Sequence, residues 1–306
     1  MLAAGLTVSR FVHFAAVLAL FGGALFPHYA YAGTADEDAR RQLLRWLKPA
    51  LTASAILAFA GGLGWFAFTA AGMSGTLAGA VDPQVLIAVV QATDFGPIWL
   101  ARLALIAALL AAMLFRRDRR RDWIATALAA LVLASLAGTG HSRTTEGWNG
   151  AVHIAADAAH LIAAGVWLGG LWPLGAALAW AHRDGSHSGR DSGEMLMRFS
   201  GLGYLAVAVL VASGLVNSWY LVGSIDGLWT NPYGRLLIVK LGLFGAMAAL
   251  AVANRFWITP RLQAADAASI QPWLRRIRRH VAAEQLLGLL VIAVVSLLGT
   301  LGPPAV

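Results

Sequence analysis

Apolar positions in this chain neither alternate nor fall into short amphipathic stripes; they run on in blocks of roughly 20, long enough to cross a bilayer core as helices. About eight such blocks follow one another. They are Leu6–Phe26, Pro49–Ala70, Pro97–Phe115, Trp123–Gly140, Ala151–Trp180, Leu196–Val222, Arg235–Trp257 and Val281–Leu301. A ninth run, Pro83–Gln91, is too short to span and reads as an interfacial or re-entrant helix. The pattern predicts an all-α, polytopic membrane bundle filling residues 1–306 as one integral membrane domain, with no soluble domain.

Polar clusters between the blocks add orientation. Arg40, Arg41, Arg45 and Lys48 follow the first block, the five arginines of RRDRRRD the third, Arg183, Arg190 and Arg198 the fifth, and RRIRR the seventh. The alternate connections are nearly free of Arg and Lys. Basic residues stay on the cytoplasmic side, so both termini are expected in the periplasm. The first block ends in Ala30-Tyr31-Ala32, which resembles a leader-peptide cleavage site, but a histidine inside the run favours a retained span. Tryptophans such as Trp46, Trp99, Trp123, Trp148, Trp219 and Trp273 fall near the block ends, as an interfacial aromatic belt requires.

Composition agrees with this and excludes other classes. Of 306 residues 59% are hydrophobic and 12% charged, and mean hydropathy is +0.69. A net charge of +8 sits in the short connections, so nucleic acid is not an expected partner and membrane lipid is. There is no cysteine, which removes disulfides, thiolate metal sites and Cys-linked haem.

The fifth block carries the chemistry. His153, Asp157 and His160 recur at spacings of four and three, within a sector of about 60° on one helix face. Asp157 lies about 6 Å deeper than His153, and His160 about 4.5 Å deeper again. Ionisable groups at such depth face a bundle interior or a wet cavity. The spacing puts imidazole and carboxylate within reach of one divalent ion, and it equally suits a hydrogen-bonded seam with no ion. His13 in the first block and His141 before the fifth lie on the same side, giving His13, His141, His153, Asp157 and His160 as the candidate ligand set. Imidazole and carboxylate favour Cu(II) over Cu(I), whose soft ligands are scarce here. Facing His13 and His160 would alternatively ligate haem iron from both sides. His182, His187, Met195 and Met197 form a further His/Met group at the inner end, read as a solvated loop or an exit site. Arg102, Lys240 and Glu284 are further ionisable groups in apolar blocks. Arg102 and Lys240 are expected either to snorkel to the surface or, as the favoured reading, to pair with a carboxylate such as Asp94, Asp157 or Asp226, and Glu284 to pair with Arg255 or neighbouring arginines. Asn217 is expected to bridge helices. No nucleophile elbow, phosphate loop or zinc-protease motif is present, so no enzyme is expected.

The stretch GHSRTTEGWNGAVHIAADAAHLIAAGVWLGGLWPL, with His141, Asp157, His160 and Trp167–Leu171, resembles the signature of the CopD/PcoD family of bacterial inner-membrane copper resistance proteins. HFAAVLALFGGALF, NPYGRLLIVKLGLF, NRFW, Glu284 and LLGTLGPP extend the resemblance along the chain. It implies an eight-helix protein that moves copper from periplasm to cytoplasm, receiving it from a separate periplasmic carrier of the CopC type. A receptor for that carrier, without flux, is the other reading.

Overall fold

The computed structural model describes residues 1–30, 37–114, 119–139, 147–184, 189–266 and 269–303. Every regular element among them is helical. α1 (Leu2–Ala30), α2 (Glu37–Ser74), α4 (Phe95–Leu114), α6 (Gly147–Asp184), α7 (Gly189–Val222) and α11 (Ile270–Leu298) are long rods, and the short α3 (Pro83–Ala92) precedes α4. α8 (Ile225–Thr230) leads into α9 (Pro232–Ala253), which continues through a π-helical turn, Asn254–Ile258, into α10 (Thr259–Ala264). Among the described residues seven helices are long and apolar enough to cross a membrane.

The expected fourth span takes a different form. α5 (Arg119–Ala134) has 16 residues and is continued by a five-residue 3₁₀ segment, Ser135–Thr139. At 1.5 and 2.0 Å per residue the combined rod is roughly 34 Å long, enough for a bilayer core. The change of pitch has a local cause. Arg102 of α4 donates through Nη2 to the Ser135 carbonyl and to Thr139 Oγ1, and through Nε to Ser135 Oγ. It takes a carbonyl that a continuing α-helix would use itself. Arg102 therefore pairs with a helix end and not with the expected carboxylate.

α1 is the central rod, packed against both α2 and α6. Its crossing with α6 is set by Gly22 and Gly169. A Cβ at Gly22 would come within 2.0 Å of the Gly169 carbonyl carbon, and one at Gly169 within 2.0 Å of the Leu18 oxygen. In lipid, where apolar burial gives helices little reason to associate, such close backbone approach supplies the packing. One apolar core runs from Phe14 on α1 to Ile292 on α11. Trp46, Trp123, Trp148 and Trp219 are exposed, as the aromatic belt requires, whereas Trp99 is fully buried.

Candidate metal site

The polar stripe of α6 faces a cavity of about 370 Å³ bounded by α6, α7, α9 and α11, with α1 closing one side. His153, Asp157 and His160 all line it, as do Asn217, Tyr233 and Lys240. The walls are otherwise mostly apolar.

Each stripe residue is held by a neighbour. The His153 ring is buried and stacks on Tyr220 of α7, centroids 4.7 Å apart at 19°. Asn217 Nδ2 donates to Asp157 Oδ1 at 3.4 Å, the expected interhelical bridge. The Lys240 ammonium and the Tyr233 hydroxyl lie within electrostatic reach of Asp157. His160 Nδ1 stands 3.0 Å from Ser213 Oγ. That hydroxyl already gives its proton to the Val209 carbonyl one turn back. It must accept from His160, so Nδ1 carries the imidazole proton and Nε2 keeps its lone pair. A neighbour that fixes the tautomer in this way is what a ligating histidine needs. Gly214 faces the same ring, where a Cβ would lie 3.6 Å from His160 Cε1.

His13 stands apart. Its Nδ1 donates to the Ala58 carbonyl at 2.7 Å, and Gly61 lets α1 and α2 meet at that level. The ring is fully buried against Trp65 and Trp99, with centroids 5.8 and 5.5 Å away. Its Nε2 is buried without a hydrogen-bond partner. His13 looks toward α2 and α4, His160 toward α7, and they do not face each other across a common space. His141 lies outside the described residues, as do the side chains of His182 and His187. Among the described residues no three His, Asp or Glu side chains converge tightly enough to cage one ion.

Several site residues escaped the sequence reading. Ser213, Tyr220 and Tyr233 are common in membrane helices and carry no spacing signal. Arg10 did carry one, a charge one turn before His13. Its guanidinium packs 4.4 Å from the Trp65 ring centroid, lines the cavity and makes no ion pair among the described residues.

Two family models match the chain: Copper resistance protein D-like, N-terminal domain, over residues 1–152, and Copper resistance protein D, over residues 193–298. Inner membrane protein YebZ of Escherichia coli is 31% identical, across 96% of this chain and 97% of its own length. Copper resistance protein D of Pseudomonas syringae pv. tomato is 32% identical, across 96% and 95%. Copper transport protein CutJ of Bacillus subtilis is 29% identical across 94% of this chain, which spans 51% of that relative. No solved structure matches. The similarity to YebZ and to the Pseudomonas protein runs almost end to end and takes in the helices that wall the cavity, so this chain belongs to the copper resistance protein D family.

Proposed function

We infer that the protein carries copper across the bacterial inner membrane, inward from the periplasm, and is not an enzyme. The observation that bears most on this reading is the stripe His153–Asp157–His160 lining a cavity enclosed by four membrane-spanning helices. The oxygen and nitrogen donors favour Cu(II) as the species taken up. His160 Nε2 and the Asp157 carboxylate form a two-donor station, and His153 a second contact nearer the helix start. Donors spread along a helix suit an ion in transit, because a passage must bind strongly enough to admit an ion and weakly enough to release it.

The positive-inside pattern supports a periplasmic position for the His153 end of the cavity and for both termini. A periplasmic copper carrier of the CopC type is then the donor. Names of relatives support the cargo: one is a copper resistance protein and one a copper transport protein. The test is isotopic copper uptake into proteoliposomes, with copper content measured on the same preparation. Wild type should bind and take up copper, and His160→Ala should bind it far more weakly and take up little. Equal uptake by the two would overturn the reading.

A further inference from the structure

A second cavity, of about 110 Å³, lies on the same four helices nearer the arginine-rich end. The linings divide at one level. On α6 the first cavity runs to Leu168 and the second begins at Trp167; on α9 the first ends at Met247 and the second begins at Ala248. On α7 the break falls between Leu210 and Val207, and on α11 between Val291 and Glu284. Two chambers are thus stacked end to end along one four-helix path. Trp167 meets Phe244 edge-on between them, centroids 5.8 Å apart.

Among the described residues the second chamber holds one carboxylate. Glu284 is buried, accepts from Asn254 Nδ2 at 2.6 Å, and lies beside the Trp167 indole N–H. The expected ion pair with Arg255 is not formed, although Arg255 lines the same chamber. Asn254 is positioned by the π-turn. The Asn254 carbonyl accepts from the backbone N–H and Oγ1 of Thr259, five residues on, in place of the Ile258 N–H that a regular α-helix would use. Asn254 Oδ1 is buried with no partner.

We propose that this inner chamber is a proton-binding site, with Glu284 the group that takes the proton and Asn254 the partner that serves both its forms. An ionised carboxylate needs donors and has Asn254 Nδ2–H and the Trp167 N–H. A carboxylic acid carries its own donor and needs an acceptor, which Asn254 Oδ1 supplies after a half-turn of the amide. Among the described residues no His, Cys, Met or second carboxylate lines the chamber, and the Arg255 cation opposes a metal, so a proton fits where copper does not. The groups facing Glu284 are Trp167 from α6, Ser200 and Tyr204 across the chamber from α7, and Asn254 and Arg255 from the end of α9. On its own helix His280 is one turn away. Protonation adds one H⁺ from water on the arginine-rich side and removes one negative charge; no other bond changes. The link to copper rests on the transport reading above: Glu284, one chamber beyond the ion, would exchange its proton as the ion passes.

Two measurements test this separately. The full-length protein is titrated by infrared difference spectroscopy over about pH 5 to 9, the range open to a buried carboxyl. A protonated-carboxyl C=O band that is missing from Glu284→Gln supports the site; a wild-type titration with no band that Glu284→Gln removes overturns it. Should that variant not fold, Asn254→Ala must shift the band, and an unshifted band overturns the pairing. Copper uptake into vesicles is then compared with and without an imposed pH gradient. Wild type should respond by about fivefold and Glu284→Gln not at all, with copper binding by the solubilised variant unchanged. A variant that keeps the full response overturns the coupling. If the band is present and neither protein moves copper, the proton site stands and the transport reading falls.

Discussion

His13 and His160 are the same side chain in the same chemical state, placed in opposite settings. Each donates Nδ1–H to an oxygen on a neighbouring helix, Ala58 O for one and Ser213 Oγ for the other. Each therefore keeps a lone pair on Nε2. At His160 that nitrogen belongs to a ring lining a cavity of about 370 Å³ beside Asp157 and Lys240. At His13 the ring is shut between two indoles, with the cations of Arg10 and Arg102 near enough to repel a metal. Residue type and depth do not separate the two. Access does, since one ring lines an open cavity and the other is closed in by indoles.

The largest effect that would confirm this contrast is expected from the α6 stripe itself. Asp157→Asn and His160→Ala each remove a donor from a two-donor station, and each should weaken copper binding by about 100-fold, measured by metal titration of the detergent-solubilised protein. Loss of under about threefold in both would mean that the cavity is not where the ion binds.

Next comes the charge that guards the stripe. Lys240 lies within electrostatic reach of Asp157, so an entering cation must compete with it. Lys240→Met should tighten copper binding by about tenfold, a modest share of the Coulomb energy between unit charges in such a setting. Uptake need not rise with it, since tighter binding slows release. Weaker binding in Lys240→Met would assign the ammonium to holding Asp157 in position rather than to competing with the ion.

These two effects mark where sequence reasoning reached and where it stopped. Bundle class and seven of the eight expected spans were legible because lipid forces long apolar runs and leaves few alternatives. The α6 stripe was legible because spacings of four and three fix a common helix face whatever the helix packs against. Its neighbours were not. Nothing in the order of residues says that Ser213 meets His160 or that Asn254 meets Glu284, since those contacts depend on how helices rotate about their axes. The same gap explains the misreading of Arg102. A buried arginine asks for a partner, and the partner proved to be the 3₁₀ end of α5 and not a carboxylate. Trp99 sits near a block end in sequence and is buried in fact, because α4 turns that face inward against His13. The grouping of His13 with the α6 residues was a statement about depth, and depth is one coordinate of three.

A smaller effect is expected at Ser213. Ser213→Ala removes the acceptor that holds His160 in the Nδ1–H tautomer, while leaving both metal donors in place. The ring then loses orientation rather than chemistry. Copper affinity should fall by about 10-fold, the lower end of what a ligand's supporting partner contributes. Ser213→Thr, which restores a hydroxyl at the same position, should recover most of it. No change in Ser213→Ala would mean that His160 is positioned by the cavity walls alone.

The smallest effect on copper, and the sharpest statement of the comparison, belongs to His13. A His13→Ala variant deletes a ring packed against Trp65 and Trp99 and leaves the Ala58 carbonyl without its side-chain donor. Loss of a large buried side chain of this kind costs about 2–4 kcal/mol of stability, with the indoles collapsing part-way into the space. Thermal unfolding in detergent should show that loss, and tryptophan emission should shift because the ring touching both indoles has gone. Copper affinity should stay within about twofold of wild type, because the α6 stripe, Ser213 and Lys240 are untouched. The two readouts must separate: stability falls while binding holds. If binding falls with stability only in proportion to the unfolded fraction, the contrast survives. If folded His13→Ala protein binds copper as poorly as His160→Ala, then the indole-walled histidine reaches the ion after all, and the division of the bundle into a locked side and an open side is wrong.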